Sequence, residues 1–245
     1  GMRENIMNNN SGYDESCMDD GAWDSLFKMV ENAEYESDFE GQAASGYDMP
    51  VCDNVAFQEN EPKKNKSYRT PEEALKVLFG YEAFRQGQKE VIDNILSGRD
   101  VFAVMPTGAG KSVCYQIPAM LLPGITLVIS PLISLMQDQV KALNEAGIPA
   151  AFINSSLSEN MFYETVNRAR QGVYKIIYVA PERLVTDSFL ELAQDIRISM
   201  LTVDEAHCIS QWGQDFRPSY MKIVEFVRLL DRRPIISAFT ATATE

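Results

Sequence analysis

The strongest constraint on the fold is a repeat of short apolar runs separated by segments of helical period. The runs "DVFAVM" (100–105), "ITLVIS" (125–130), "AAFIN" (150–154), "KIIYVA" (175–180), "SMLTVD" (199–204) and "PIISAFT" (234–240) are rich in Val, Ile and Phe. Near-continuous apolar runs of this length are what strands covered on both faces require. In "LISLMQDQVKALNEAG", Leu132, Met136, Val140 and Leu143 share one helical face, and Gly147 with Pro149 ends the helix. Strand-helix alternation repeated this often predicts an α/β fold, a three-layer, mostly parallel sheet with right-handed crossovers. Ligands of such sheets bind beyond the carboxyl ends of the strands.

Two motifs fall at such ends. "MPTGAGKS" (105–112) follows the run "DVFAV" and opens a helix near Lys111. Gly108 and Gly110 let successive N–H groups turn inward around a phosphate at the positive end of the helix dipole. Thr107 and Ala109 complete this loop, Lys111 reaches the β- and γ-phosphates, and the Ser112 hydroxyl is a Mg²⁺ ligand. The pattern G-x-x-x-x-G-K-[ST] has glycine first, where this chain has Met105; the remaining cradle residues are present. The second motif is the acid end of "SMLTVDEAH". Asp204 is placed to hold Mg²⁺ beside Ser112, and Glu205 to polarise an attacking water. A "DE" pair alone is most often a pair of surface acids. Downstream of a phosphate loop in an alternating sheet, it points to a P-loop NTPase.

Composition narrows the partners. The formal charge of -13 by itself opposes nucleic acid, since phosphate contacts need Lys and Arg. Most of that charge sits in residues 1–66, which carry 15 acids and 5 bases; residues 67–245 carry 20 and 17 and are nearly neutral. The segment 1–66 has no sustained period and reads as an acidic disordered arm and linker, with residues 67–245 as the folded domain. Within the arm, "AWDSLFKMVENA" places Trp23, Leu26, Phe27 and Val30 at helical spacing. It is either a marginal helix or a docking motif for a protein partner. Cys17, Cys52, Cys114 and Cys208 lack zinc-type spacing and His207 is the one histidine, so no zinc site is expected within the chain. Free thiols fit a reducing cytoplasm, with association to the nucleoid in a bacterial source. No run suits a membrane span or a signal peptide.

On these residues the chain resembles superfamily 2 helicases, and within them the RecQ-type DNA helicases, over about residues 67–245. "FGYEAFRQGQKEVIDNILSGRD" resembles the segment preceding the family's phosphate loop, which implies that Gln88, with Arg85 nearby, recognises the nucleotide base. Ala109 stands where a third glycine is usual; its methyl is tolerated at negative φ and strained otherwise. "LVISPLISLMQDQV" is similar to a DNA-backbone segment, with Ser130 and Gln139 matching, and "FTATAT" to the motif linking ATP state to domain movement, with Thr240 and Thr242 matching. "SQWGQDFRPSY" resembles the aromatic-rich loop of RecQ enzymes, implying DNA contact or coupling by His207, Gln211, Trp212, Asp215, Phe216 and Arg217. The physical reading agrees, since Trp212 and Phe216 offer π-faces for unpaired bases, worth about 1–3 kcal/mol each. The alternative is that both rings pack beneath the next helix. Gln214 occupies a usual histidine position, keeping hydrogen bonding but not proton exchange.

The resemblance implies a first RecA-like motor domain that binds Mg²⁺ and ATP and acts on single-stranded or forked DNA, moving 3′ to 5′ in recombination and repair. It implies a partner as well, the second motor domain, which supplies an arginine finger and has no counterpart before Glu245. The chain alone is therefore expected to bind nucleotide and hydrolyse it poorly. A nucleotide kinase or transporter ATPase shares the phosphate loop without the linkage of "DEAH" to "QWG", and an ATP-gated binding module without unwinding remains the non-enzyme alternative.

Overall fold

The computed structural model describes residues 68–206 and 221–241. The arm read over residues 1–66 lies outside them. The order is α1 (Pro71–Phe79), α2 (Gln88–Leu96), β1 (Val101–Val104), α3 (Lys111–Leu121), β2 (Ile125–Ile129), α4 (Ile133–Glu145), β3 (Ala150–Ile153), α5 (Glu159–Arg170), β4 (Ile176–Val179), a 3₁₀ turn (Pro181–Arg183), α6 (Asp187–Asp195), β5 (Ile198–Val203), α7 (Met221–Arg228) and β6 (Ile235–Thr240). The six apolar runs are the six strands.

Local chemistry sets the helix ends. Thr70 caps α1, its hydroxyl accepting the Glu73 N–H at 3.1 Å, with Pro71 at the first helical position and Gly80 left-handed at the end. Ser158 caps α5 in the same way. Gly147, at φ +84, turns the chain after α4 as expected. Leu132 departs from its expected place on the core face. It is the N-cap of α4, in extended conformation and 41% exposed, so it lies off the helical lattice that buries Met136, Val140 and Leu143.

All strand pairs are parallel, in the order β1-β6-β5-β2-β4-β3. Alternate residues of each strand feed opposite layers. Leu127 and Ile129 of β2 pack with Phe162, Phe189 and Phe226 from α5, α6 and α7, while Val128 packs with Tyr115 and Met136 from α3 and α4 on the other face. Each such fully buried side chain contributes about 1.5–3 kcal/mol. Leu75, Ile92 and Ile117 join α1, α2 and α3 in a third cluster, which fixes α2 beside the segment after β1. Because Val104 aligns with Thr240 and Ile129 with Val203, the carboxyl ends of β1, β6, β5 and β2 form one edge. Among the described residues no helix is long and apolar enough to cross a membrane.

Candidate functional site

The loop after β1 is built around two left-handed glycines. Gly108 has φ +80 and Gly110 φ +83, and Gly110 is the N-cap of α3. By position the Lys111 and Ser112 N–H groups at the start of α3 have no intrahelical carbonyl, while the Val113 N–H donates to Gly110 O at 3.2 Å. Ala109 is not left-handed, since Glu205 is the one non-glycine residue with positive φ among the described residues. The methyl that replaces the usual glycine therefore carries no backbone strain. Met105 is 6% exposed, donates its N–H to Thr240 O at 3.0 Å, and sets its sulfur 3.9 Å from the Cys114 thiol. It is a core residue under the loop, so the departure from glycine leaves the cradle unchanged.

Arg85, just before α2, and Gln88, its first residue, hold this loop. The Arg85 guanidinium donates to Gly108 O. Gln88 is 4% exposed; its carbonyl accepts the Arg85 N–H at 2.8 Å, and its amide donates to Ala109 O at 3.1 Å and Gly110 O at 3.2 Å. Both donor positions of that amide are used. The residues expected at the nucleotide base are here bound to the backbone of the phosphate loop, which the sequence reading did not foresee.

The acid end of β5 meets the loop across β6. Asp204 is anchored by its N–H to Ile129 O at 2.9 Å, and Asp204 Oδ1 accepts the Glu205 N–H at 3.1 Å. Glu205 takes φ +52, an uncommon conformation for a residue with a side chain. Lys111 Nζ lies 3.4 Å from Glu205 Oε1, with side chains 14% and 25% exposed, and thus joins two motifs 94 residues apart. Thr107 is exposed on the loop, and Ser112 is half-buried in the first turn of α3.

The donor set suits Mg²⁺ held by a nucleotide. Ser112 and Asp204 offer oxygen only, and among the described residues no group of three or more His, Cys, Asp or Glu forms a cage of its own. Mg²⁺ takes one or two carboxylates and completes its shell with water and phosphate oxygens.

Beneath Ser112 lie two buried tyrosines. The Tyr115 hydroxyl on α3 is 3.2 Å from the Tyr178 hydroxyl on β4, and each residue is 1% exposed. Burial raises the Tyr115 pKa well above its usual value; the nearby Tyr178 and Asp204 raise it further, and a hydrogen bond with the Ser112 side chain opposes the rise. Tyr178 is pushed up to about 12, first by burial, with hydrogen bonds to Tyr115 and Gln116 opposing. Cys114 is likewise pushed up to about 12 by burial. The tyrosines were missed in the sequence, although a Tyr in the apolar run "KIIYVA" signals a hydroxyl that must find a partner.

Ser130 sits at the end of β2 with its hydroxyl buried and unpartnered, and Gln139 is half-buried on α4. Thr240 ends β6, 3% exposed. His207, Gln211, Trp212, Gln214, Asp215, Phe216, Arg217 and Thr242 lie outside the described residues.

A family model described as DEAD/DEAH box helicase matches residues 85–245. The chain is 55% identical over 171 residues to "ATP-dependent DNA helicase RecQ" of Bacillus subtilis, covering 69% of this chain and 29% of that protein. It is 50% identical over 169 residues to the protein of the same name in Haemophilus influenzae, covering 69% and 27%. It is 45% identical over 181 residues to "ATP-dependent helicase wrn-1" of Caenorhabditis elegans, covering 71% and 17%. The chain thus spans under a third of the length of these curated relatives. Among solved structures, a hypothetical ATP-dependent RNA helicase from Sulfolobus tokodaii shares the fold with a TM-score of 0.54 at 22% identity, covering 71% of this chain and 51% of the other. The DUF1998 helicase MrfA does so at 0.56 and 18%, covering 70% and 29%.

Proposed function

Because the chain belongs to the DEAD/DEAH box helicase family and matches the first motor domain of RecQ-type helicases, we propose that it is the ATP-binding half of the motor of a DNA helicase moving 3′ to 5′. The observation that carries this reading is the 3.4 Å pair of Lys111 and Glu205, which brings the phosphate loop and the acid strand end into one site. The loop amides and Lys111 bind the phosphates, and Ser112 with Asp204 would hold Mg²⁺, which would supply charge neutralisation for the phosphates. Transfer of Lys111 from Glu205 to a phosphate oxygen ends this ion pair, so nucleotide binding changes the charge facing the carboxylate that orients the nucleophile. Gln88 reads the base only by exchanging its bonds to the loop, which couples base recognition to loop shape.

The arginine finger comes from the second motor domain and is worth roughly 10³–10⁵ in rate. Alone, the chain therefore binds Mg²⁺-nucleotide and turns it over slowly. Single-stranded DNA crosses the carboxyl edge near Ser130 and Gln139 and stacks on Trp212 and Phe216, with Arg217 on a phosphate. The acidic arm is a site for a protein partner.

Two assays test the reading. A fluorescent ADP analogue titrated into the chain is expected to bind more tightly with Mg²⁺ than in EDTA. A forked DNA incubated with the full-length protein and ATP is expected to separate. ATP-dependent DNA binding without separation would favour a gated binding module instead.

A further inference from the structure

Among the described residues, the two edges of the sheet carry opposite charge. At the carboxyl edge Glu182, Asp187, Asp204 and Glu205 outnumber Lys111 and Arg183. The amino edge is basic. Lys175 leads into β4, Arg197 into β5 and Arg232 into the segment before β6, and none of the three has a carboxylate partner among the described residues. Of the acids on this edge, Asp195 is engaged by Arg170 at 2.8 Å and Asp100 by Arg233, so Asp231 and Glu145 are what oppose the three cations. The cations border a cavity of about 190 Å³ lined by Gly124, Ile125, Gly172, Tyr174 and Lys175. A Cβ at Gly124 would fall 3.0 Å from Arg197 Cγ, so the Arg197 stem lies over one wall. Lys175 is half-buried and donates to Leu122 O at 3.1 Å, and burial lowers its pKa. A desolvated ammonium answered by a neutral carbonyl gains from an incoming carboxylate.

We propose that residues 31–40 of the acidic arm dock on this amino edge of their own chain, with carboxylates against Lys175, Arg197 and Arg232 and an aromatic ring in the cavity. The stretch "ENAEYESDFE" holds Glu31, Glu34, Glu36, Asp38 and Glu40 with no base, and sets Tyr35 and Phe39 among them. Acids and rings in one short stretch match what the edge offers, cations around an opening walled by Ile125 and Tyr174. The carboxyl edge, with its four acids, repels the same stretch. Reach does not limit the docking. The 28 residues from Gly41 to Tyr68 can span up to about 90 Å, against a radius of gyration of about 15 Å for a domain of this size. The inference rests on the reading of the arm as a docking segment for protein, and names the chain's own domain as the partner.

The test is carbodiimide cross-linking of the whole chain at low protein concentration, read by mass spectrometry. The reagent joins a carboxylate to a lysine amine in direct contact, with loss of water. Lys175 is expected to link to carboxylates of residues 31–40 in monomeric product, and to do so more than Lys141, an exposed lysine on α4. The links should vanish in about 1 M NaCl, where the screening length falls to about 3 Å. Arg197→Glu/Arg232→Glu changes two exposed residues, keeps Lys175 as reporter and should lower the yield at least about fivefold. If that variant fails to fold, the salt series on wild type decides. No Lys175 link, a yield no higher than at Lys141, or indifference to both salt and charge reversal overturns the docking. Links confined to covalent dimers place the arm on a second copy and overturn it too. A face built for nucleic acid would leave Lys175 unlinked to the arm and lose affinity for a labelled oligonucleotide in the charge-reversed variant, which also overturns it. An arm with no link to the domain at all overturns the inference and leaves the arm's protein partner to be another chain.

Discussion

Gly110→Ala and Gly108→Ala should differ sharply although both place a methyl on the same loop. Both glycines are left-handed, at φ +83 and +80, so each substitution carries about 1–2 kcal/mol of backbone strain. At Gly108 the new Cβ meets nothing within 4 Å, whereas at Gly110 it falls 2.5 Å from the Gln88 amide nitrogen. That amide must swing away, breaking its bonds to Ala109 O and Gly110 O inside a site where Gln88 is 4% exposed. The two lost bonds add about 1–2 kcal/mol. In a chain of this size, Gly110→Ala should then melt roughly 2–8 °C below Gly108→Ala. Thermal unfolding followed by circular dichroism measures the gap. In a Gln88→Ala background the clash is gone, and the two alanines should cost the same within about 0.5 kcal/mol. Equal melting of the two single variants in the wild-type background would refute the claim that Gln88 clasps the loop.

Lys111→Ala should weaken binding of the ADP analogue at least about tenfold, or 1.4 kcal/mol, while leaving the circular dichroism spectrum unchanged. In the full-length protein, Trp212→Ala should spare nucleotide binding and basal hydrolysis and remove DNA stimulation, by losing about 1–3 kcal/mol of base stacking; equal loss of both rates would refute its coupling role. Stability should decline in alkali. Burial raises the Cys114 thiol from 9.0, and the Tyr178 phenol from 10.0, each to about 12. The folded state keeps these protons longer than the unfolded one, so their contribution is complete below pH 9 and is lost as pH rises toward 12. Urea midpoints across that range should fall, and less steeply for Tyr178→Phe.

The fold was legible because strands buried on both faces cannot disguise themselves. Val, Ile and Phe in "ITLVIS" or "KIIYVA" satisfy two layers at once, and each such run became a strand. The phosphate loop was legible for a similar reason, since Gly108 and Gly110 sit where the backbone must turn left-handed. Sequence spacing does not encode contacts made across the sheet. Placing Lys111 against Glu205 depends on β6 inserting between β1 and β5, and pairing Tyr115 with Tyr178 depends on α3 lying over β4. Gln88 was noticed, but its bonds to Ala109 and Gly110 follow from α2 packing on α3 through Ile92 and Ile117. Leu132 shows the complementary limit, because a helical period projected one residue past the start of α4, onto its N-cap, puts an exposed residue in the core.

In the proposed function Lys111, Ser112, Asp204 and Glu205 form one half of an ATPase site. The most direct test compares DNA-stimulated ATP turnover by this chain with that of the full-length protein under identical conditions, after saturation with Mg²⁺-ATP is verified for both. Both should bind nucleotide, and the chain alone should turn over roughly 10³-fold or more slowly if an arginine from a second motor domain completes the site. Turnover by the chain matching that of the full-length protein would contradict it.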